Sequence, residues 1–379
     1  MGNVNTASGG ASFTVSSVPL GGLATVFASG DAYKAIGTSI QRSLYPEMSA
    51  AFPRKSAYAF SLVAQPLVGS SSLARCGTFG KGMFVIMMTS NATNTSADSL
   101  YSFDGITWTP STATSSLNWN GICYGGPVGN QKFVAVGAAQ GGTAASTCCI
   151  SSDGITWATS NMPSLIYQSV VWSDQLGLYI AFTNSTACAT SPDGVTWTQR
   201  ATPGGGYYPA ASPNCVIALN PGGNMIRTTD GIAFAVVAGL PNKAYSSVVY
   251  AGGLFVATVG SSAAGAGIVT SPDGLTWTVR VTPASYTGGQ LAYGDGVWLC
   301  TGNGGATGSM TSYDAINWSQ RANGIAGAVY SVFGNGAFLI TAPFVSSGVT
   351  YNQLVYTENL STSDWMYLSG TAGQYVRVR

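Results

Sequence analysis

The sequence predicts an all-β fold, a seven-bladed β-propeller with four antiparallel strands per blade. Three observations predict it. Between residues 102 and 318 a seven-letter phrase recurs six times: SFDGITW, SSDGITW, SPDGVTW, TTDGIAF, SPDGLTW and SYDAINW, with a worn copy, STSDW, ending at Trp365. The closing aromatics, Trp108, Trp157, Trp197, Phe234, Trp277, Trp318 and Trp365, lie 37 to 49 residues apart, the period of a repeat architecture. Each period also holds four short runs rich in Val, Ile, Thr and aromatics, broken by Gly, Asp-Gly or Asn-Gly. Four strands per repeat around a channel is the propeller pattern; a solenoid would show shorter turns and polar caps.

Residues 1–65 precede the repeat and read as a separate attachment segment. VPLGGLATVFASG suggests one or two strands, and Pro46 and Pro53 bracket what reads as one short helical turn. Residues 66–379 form the propeller. In the fifth repeat SSVVYAGG, LFVATVG, GIVTSPDG and LTWTVRV are the four strands, and the second repeat follows the same order. The ending GQYVRVR alternates in the manner of a half-exposed strand and is assigned to close the ring, with SAYAFSLVAQ (56–65) as the other candidate.

The Asp-Gly step is a turn clip. Its glycine tolerates positive φ and its carboxylate accepts turn N–H groups, while the Trp three residues on lies between blades. Asp104, Asp153, Asp193, Asp230, Asp273 and Asp314 are such clips, with Asp364 a degenerate seventh. The chain has only thirteen acids, so Asp31, Asp98, Asp174, Asp295, Glu47 and Glu358 are all that remain for chemistry.

Composition excludes several classes of function. Only 7% of residues are charged and the net charge is +1, so no basic track exists for nucleic acid. There is no run of apolar residues long enough for a membrane helix and no secretory start, so neither membrane insertion nor a signal peptide is expected. The seven cysteines contain no CxxC and there is no histidine. Free thiols, no metal site and no cofactor are the corresponding expectations.

The S/T-x-D-G-x-T-W copies resemble the Asp-box repeats of sialidase-like propellers, with one residue fewer between Asp and Gly. RSLYPEMSAAFP and GTAGQYVRVR resemble stretches of tail fibres and related virion proteins of tailed bacteriophages. The second resemblance implies a virion protein assembled in the host cytoplasm. Its N-terminal segment would bind other virion proteins, and its propeller loops a host receptor or surface glycan; homo-oligomerisation is left open. Decoration of the virion without receptor contact is the alternative role, and a sialidase-like glycan hydrolase the alternative class. Sialidase chemistry would need an arginine cluster, a tyrosine nucleophile and partnering acids. Arg200, Arg280 and Arg321 instead recur at one repeat position, which marks scaffold. No catalytic residue is assigned.

The binding candidates are aromatics that recur ahead of the first strand of successive blades, Trp119, Tyr167, Tyr208, Tyr245 and Tyr286, with Tyr207 beside Tyr208. They would ring one mouth of the channel on the face opposite the clips, either stacking sugar rings or packing between blades.

Overall fold

The structure, a computed structural model, describes residues 73–89, 99–111, 117–238, 244–259, 267–283, 288–294, 296–302, 309–321, 330–335 and 337–346, together with the strands before 73 and after 346 named below. The chain divides into two compact units, Phe60–Thr357 and the pair of segments Met1–Ala59 and Glu358–Arg379.

The larger unit is an all-β propeller with four-stranded antiparallel blades. Six blades, spanning 73–111, 118–165, 167–201, 208–236, 245–280 and 288–321, each take their four strands consecutively. Hydrophobic clusters join side chains of neighbouring blades. Met83, Val85 and Met87 of the first pack with Trp119, Ile122 and Phe133 of the second, and Ile180 and Phe182 of the third with Val216, Ala218 and Ile226 of the fourth. A strand buried on both faces needs the near-continuous apolar runs seen in Met83–Thr89 and Val297–Gly302.

One more sheet departs from the serial rule. Tyr330–Gly334, Ala337–Ser346 and Val349–Thr357 follow one another, but the fourth strand is Phe60–Val63, paired antiparallel from Thr357↔Phe60 to Leu354↔Val63. Of the two candidates for ring closure, the segment 56–65 thus supplies the pairing strand, and the assignment of Tyr375–Arg377 is corrected. That strand pairs with Leu23–Ala24 and Tyr33–Ala35 in the smaller unit. Trp365, expected to end a seventh serial copy, opens the strand Trp365–Tyr367, which pairs with Ser39–Gln41, and Asp364 lies outside the described residues. The physical reason is that a strand's partner depends on the free edge it meets, whereas alternation reports only how many of its faces are buried. A further small sheet joins Asn3–Thr6 with Ser12–Thr14 and Val26–Ala28. The helical turn expected between Pro46 and Pro53 also lies outside the described residues.

The first strands form a circuit. Leu73–Gly80, Asn118–Gly125, Tyr167–Ser173, Tyr208–Ala211, Tyr245–Ala251, Gly288–Gly294 and Tyr330–Gly334 each touch the next, and the last touches the first. Clip contacts follow the same direction: Lys81 Nζ donates to Ser152 O (3.1 Å), Lys132 Nζ to Asp193 O (3.1 Å) and Asn335 Nδ2 to Phe103 O (2.7 Å). The third of these joins the out-of-sequence sheet to the first blade.

Candidate functional site

The clips have the geometry that the sequence predicts for a turn device. In the first blade the Asp104 carboxylate accepts from the N–H groups of Ile106 (2.8 Å) and Thr107 (2.7 Å) and from Ser102 Oγ (2.9 Å). Ser102 Oγ in turn accepts from Gly105 N, and Trp108 Nε1 donates to Gly105 O. The carboxylates of Asp153, Asp193, Asp230, Asp273 and Asp314 repeat these bonds, and the ring N–H bond recurs at Trp197 and Trp318, whereas Trp157 Nε1 and Trp277 Nε1 are buried with no hydrogen-bond partner among the described residues. Partial desolvation pushes the Asp104, Asp153 and Asp314 carboxyls up, but turn hydrogen bonds outweigh it and hold them down at about 2. Every carboxylate so held is committed to its own turn.

Because successive strands in a blade are antiparallel, the clip between strands three and four shares a face with the turn between strands one and two. The start of each first strand lies at the opposite face. There the pairing of the first two strands is interrupted in five blades. The register skips Arg75 between Ala74 and Cys76, Asn120 between Trp119 and Gly121, Gln168 between Tyr167 and Ser169, and Ser246 between Tyr245 and Ser247. A wider skip between Gly288 and Leu291 contains Gln290. A bulge adds one residue and re-aims its side chain.

One cavity of about 290 Å³ is lined by Arg75, Cys76, Asn120, Gln168, Tyr207, Tyr208, Gln290 and Tyr330. Six different first strands contribute to it, which places it on the axis of the circuit. Four of its residues, Arg75, Asn120, Gln168 and Gln290, lie in the bulges. Asn120 Nδ2 donates to Tyr167 O of the next blade (2.8 Å), and Gln290 Nε2 to Ser246 O of the preceding one (3.3 Å). Arg75 is exposed and is the one charged residue among the described lining residues; burial pushes the neighbouring Cys76 thiol up to about 12.

The aromatic candidates separate into three groups. Tyr207 and Tyr208 are half-buried and line the cavity, their rings 6.3 Å apart. Trp119, Tyr167 and Tyr245 are 0%, 0% and 2% exposed, so of the two roles open to them these three rings take packing between blades and not stacking at the channel mouth. They stand inside the first strands, one residue before the bulge, and pack in the hydrophobic clusters between blades. Tyr167 also donates its phenol to Pro163 O (2.7 Å). The reason at Trp119 and Tyr167 is the bulge: it turns the following Asn120 or Gln168 to the axis and leaves the aromatic in the sheet. Tyr286 lies outside the described residues.

Sequence reasoning missed the bulged residues themselves. The available signal was the polar residue directly after each buried anchor, in Trp119-Asn120, Tyr167-Gln168 and Tyr245-Ser246. It also passed over the far ends of the first strands, where Phe79, Tyr124, Trp172, Tyr250, Tyr293 and Phe333 are half-buried. Each packs on an aromatic of its own second strand, with ring centroids 4.6 to 4.9 Å apart. The repeated arginines behave as scaffold in two blades, where Arg200 Nε donates to Thr190 Oγ1 and Arg280 Nε to Thr270 Oγ1.

No protein-family model matches the sequence, and neither does any curated protein sequence. Solved structures define the class as β-propellers. YCF48 from Cyanidioschyzon merolae matches with 13% identity over 79% of this chain and 98% of its own, at a TM-score of 0.55. The WD40 β-propeller domain of Doa1 matches with 11% identity over 80% and 98%, also at 0.55. The GH74 enzyme of Niastella koreensis matches with 16% identity at 0.52, over 80% of this chain and 44% of the enzyme's length. At these identities the likeness concerns the fold alone.

Proposed function

We propose that the protein is a non-enzymatic recognition module that binds a surface saccharide at the channel mouth opposite the clips. The observation that carries this reading is the axial cavity, in which Tyr207, Tyr208 and Tyr330 stand with the neutral amides of Asn120, Gln168 and Gln290 and a single guanidinium, Arg75. Aromatic faces stack on sugar rings, and amides exchange hydrogen bonds with hydroxyls without needing charge. Its volume lies at the lower end of ordinary ligand pockets, roughly 300 Å³. No carboxylate stands among its described lining residues, which favours binding over acid-base hydrolysis.

The closing sheet serves in this reading as the seventh blade, so that residues 60–357 form a seven-bladed Asp-box propeller. The segments outside it anchor the protein in a tailed-phage virion. That placement rests on the terminal segments' resemblance to virion proteins. The propeller's task is then host recognition.

The test is binding of the full chain to host cells and to their purified surface polysaccharide. Tyr208→Ala is expected to weaken binding by about tenfold, the size of one lost stacking contact; because Tyr208 also packs on the cluster around Ala210 and Tyr245, Tyr208→Leu, which keeps apolar packing but not the ring, is expected to weaken binding equally with a smaller loss of melting temperature. Unchanged binding by the variants would remove the channel mouth from the reading, and absence of any binding would favour a decoration role. Release of sugar by the pure protein would overturn the non-enzymatic assignment.

A further inference from the structure

Which saccharide the cavity takes follows from how its polar groups are already engaged. Asn120 and Gln290 each use an amide N–H on a backbone carbonyl of an adjacent blade, and because the partner is a carbonyl oxygen the amide nitrogen must be the atom that faces it. The Oδ1 of Asn120 and the Oε1 of Gln290 then remain as acceptors, with no hydrogen bond among the described residues. Acceptors call for ligand hydroxyls. Arg75 adds five N–H donors in a planar fork. Among the described lining residues it has no carboxylate partner.

The ligand chemistry that answers both demands is a polyol bearing one carboxylate. Resting on the saccharide reading above, we infer that the channel mouth selects an acidic sugar of the uronic type, its carboxylate held by the Arg75 guanidinium and its hydroxyls by Asn120 and Gln290, against the ring of Tyr208. A phosphate would carry up to two charges and call for a second cation, which the described lining does not supply. A bidentate guanidinium–carboxylate pair is the better match in shape and charge.

The experiment is calorimetric titration of the full chain with oligosaccharides of galacturonate and of glucuronate, beside their methyl-esterified counterparts of equal length. The acids are expected to bind about tenfold more tightly than the esters, with an advantage that shrinks as salt is raised. Arg75→Gln should erase the difference between acid and ester without lowering the melting temperature, and Arg75→Lys should restore part of it. Equal binding of acid and ester would overturn the acidic selectivity and leave the saccharide reading standing. Binding of neither, with no binding to host polysaccharide, would overturn both.

Discussion

Ala315 stands where the other five described clips have glycine. Those glycines have φ of +71° to +75°, and Ala315 is forced to +59°. An L-residue with a Cβ disfavours this region by about 1 to 2 kcal/mol, more than the extra unfolded-state freedom of glycine costs. Ala315→Gly is therefore expected to stabilise the sixth clip by roughly 0.5 kcal/mol, read as a higher midpoint in urea unfolding with an unchanged slope. A lower midpoint would show that the methyl group, which is fully buried with Trp298, Met310 and Trp318, contributes more by packing than it costs in strain. The clip itself was legible in the sequence because all its partners lie within six residues. The cavity-lining residues were not, since Asn120 and Gln168 read as ordinary polar residues until the register shows that they are unpaired with the second strand.

At the scale of the strand, small residues near the clip-side end of the first strand set how closely neighbouring blades approach. A Cβ added to Gly125 would stand 2.3 Å from Trp172 Cγ, one on Gly80 2.2 Å from Tyr124 Cγ, one on Gly294 2.0 Å from Phe333, and one on Gly334 2.1 Å from Phe79. The same contact thus recurs around the circuit, including the step from the out-of-sequence sheet to the first blade. Gly125→Val is expected to cost about 3 kcal/mol through overpacking, seen as a loss of many degrees in thermal unfolding; a loss under about 1 kcal/mol would mean that the blades can separate at little cost. The sequence placed these strands correctly, since apolar β-branched runs bounded by Gly mark them. It left open whether the recurring aromatics are packed or presented, because a strand packed on both faces gives no alternation to distinguish inside from outside. The bulges shift the register at the very residues whose direction mattered.

At the scale of the larger unit, ring closure depends on a strand that is far from its partners in sequence. Phe60–Val63 pairs with Leu354–Thr357 across nearly three hundred residues, and the chain enters and leaves this unit at the paired residues Phe60 and Thr357. Alternate residues of an antiparallel edge strand donate to its neighbour, so one of the two variants Ser61→Pro and Leu62→Pro removes a backbone donor from that ladder. That variant is expected to lower the melting temperature by several degrees, on the order of 1 to 3 kcal/mol, and to promote association through the exposed edge of Val349–Thr357. If both variants stay monomeric with unchanged stability, the fourth strand of this sheet is dispensable to closure.

The repeated DG-x-T-W phrase by itself determined the propeller, the serial strand order of its six regular blades and its turn chemistry, because those depend on short-range hydrogen bonds and on which residues tolerate a left-handed backbone. Only the tertiary structure decided which strand completes the last sheet and which side chains face the axis. Both depend on pairing between distant strands, where a one-residue bulge exchanges a buried ring for a polar side chain directed at the channel.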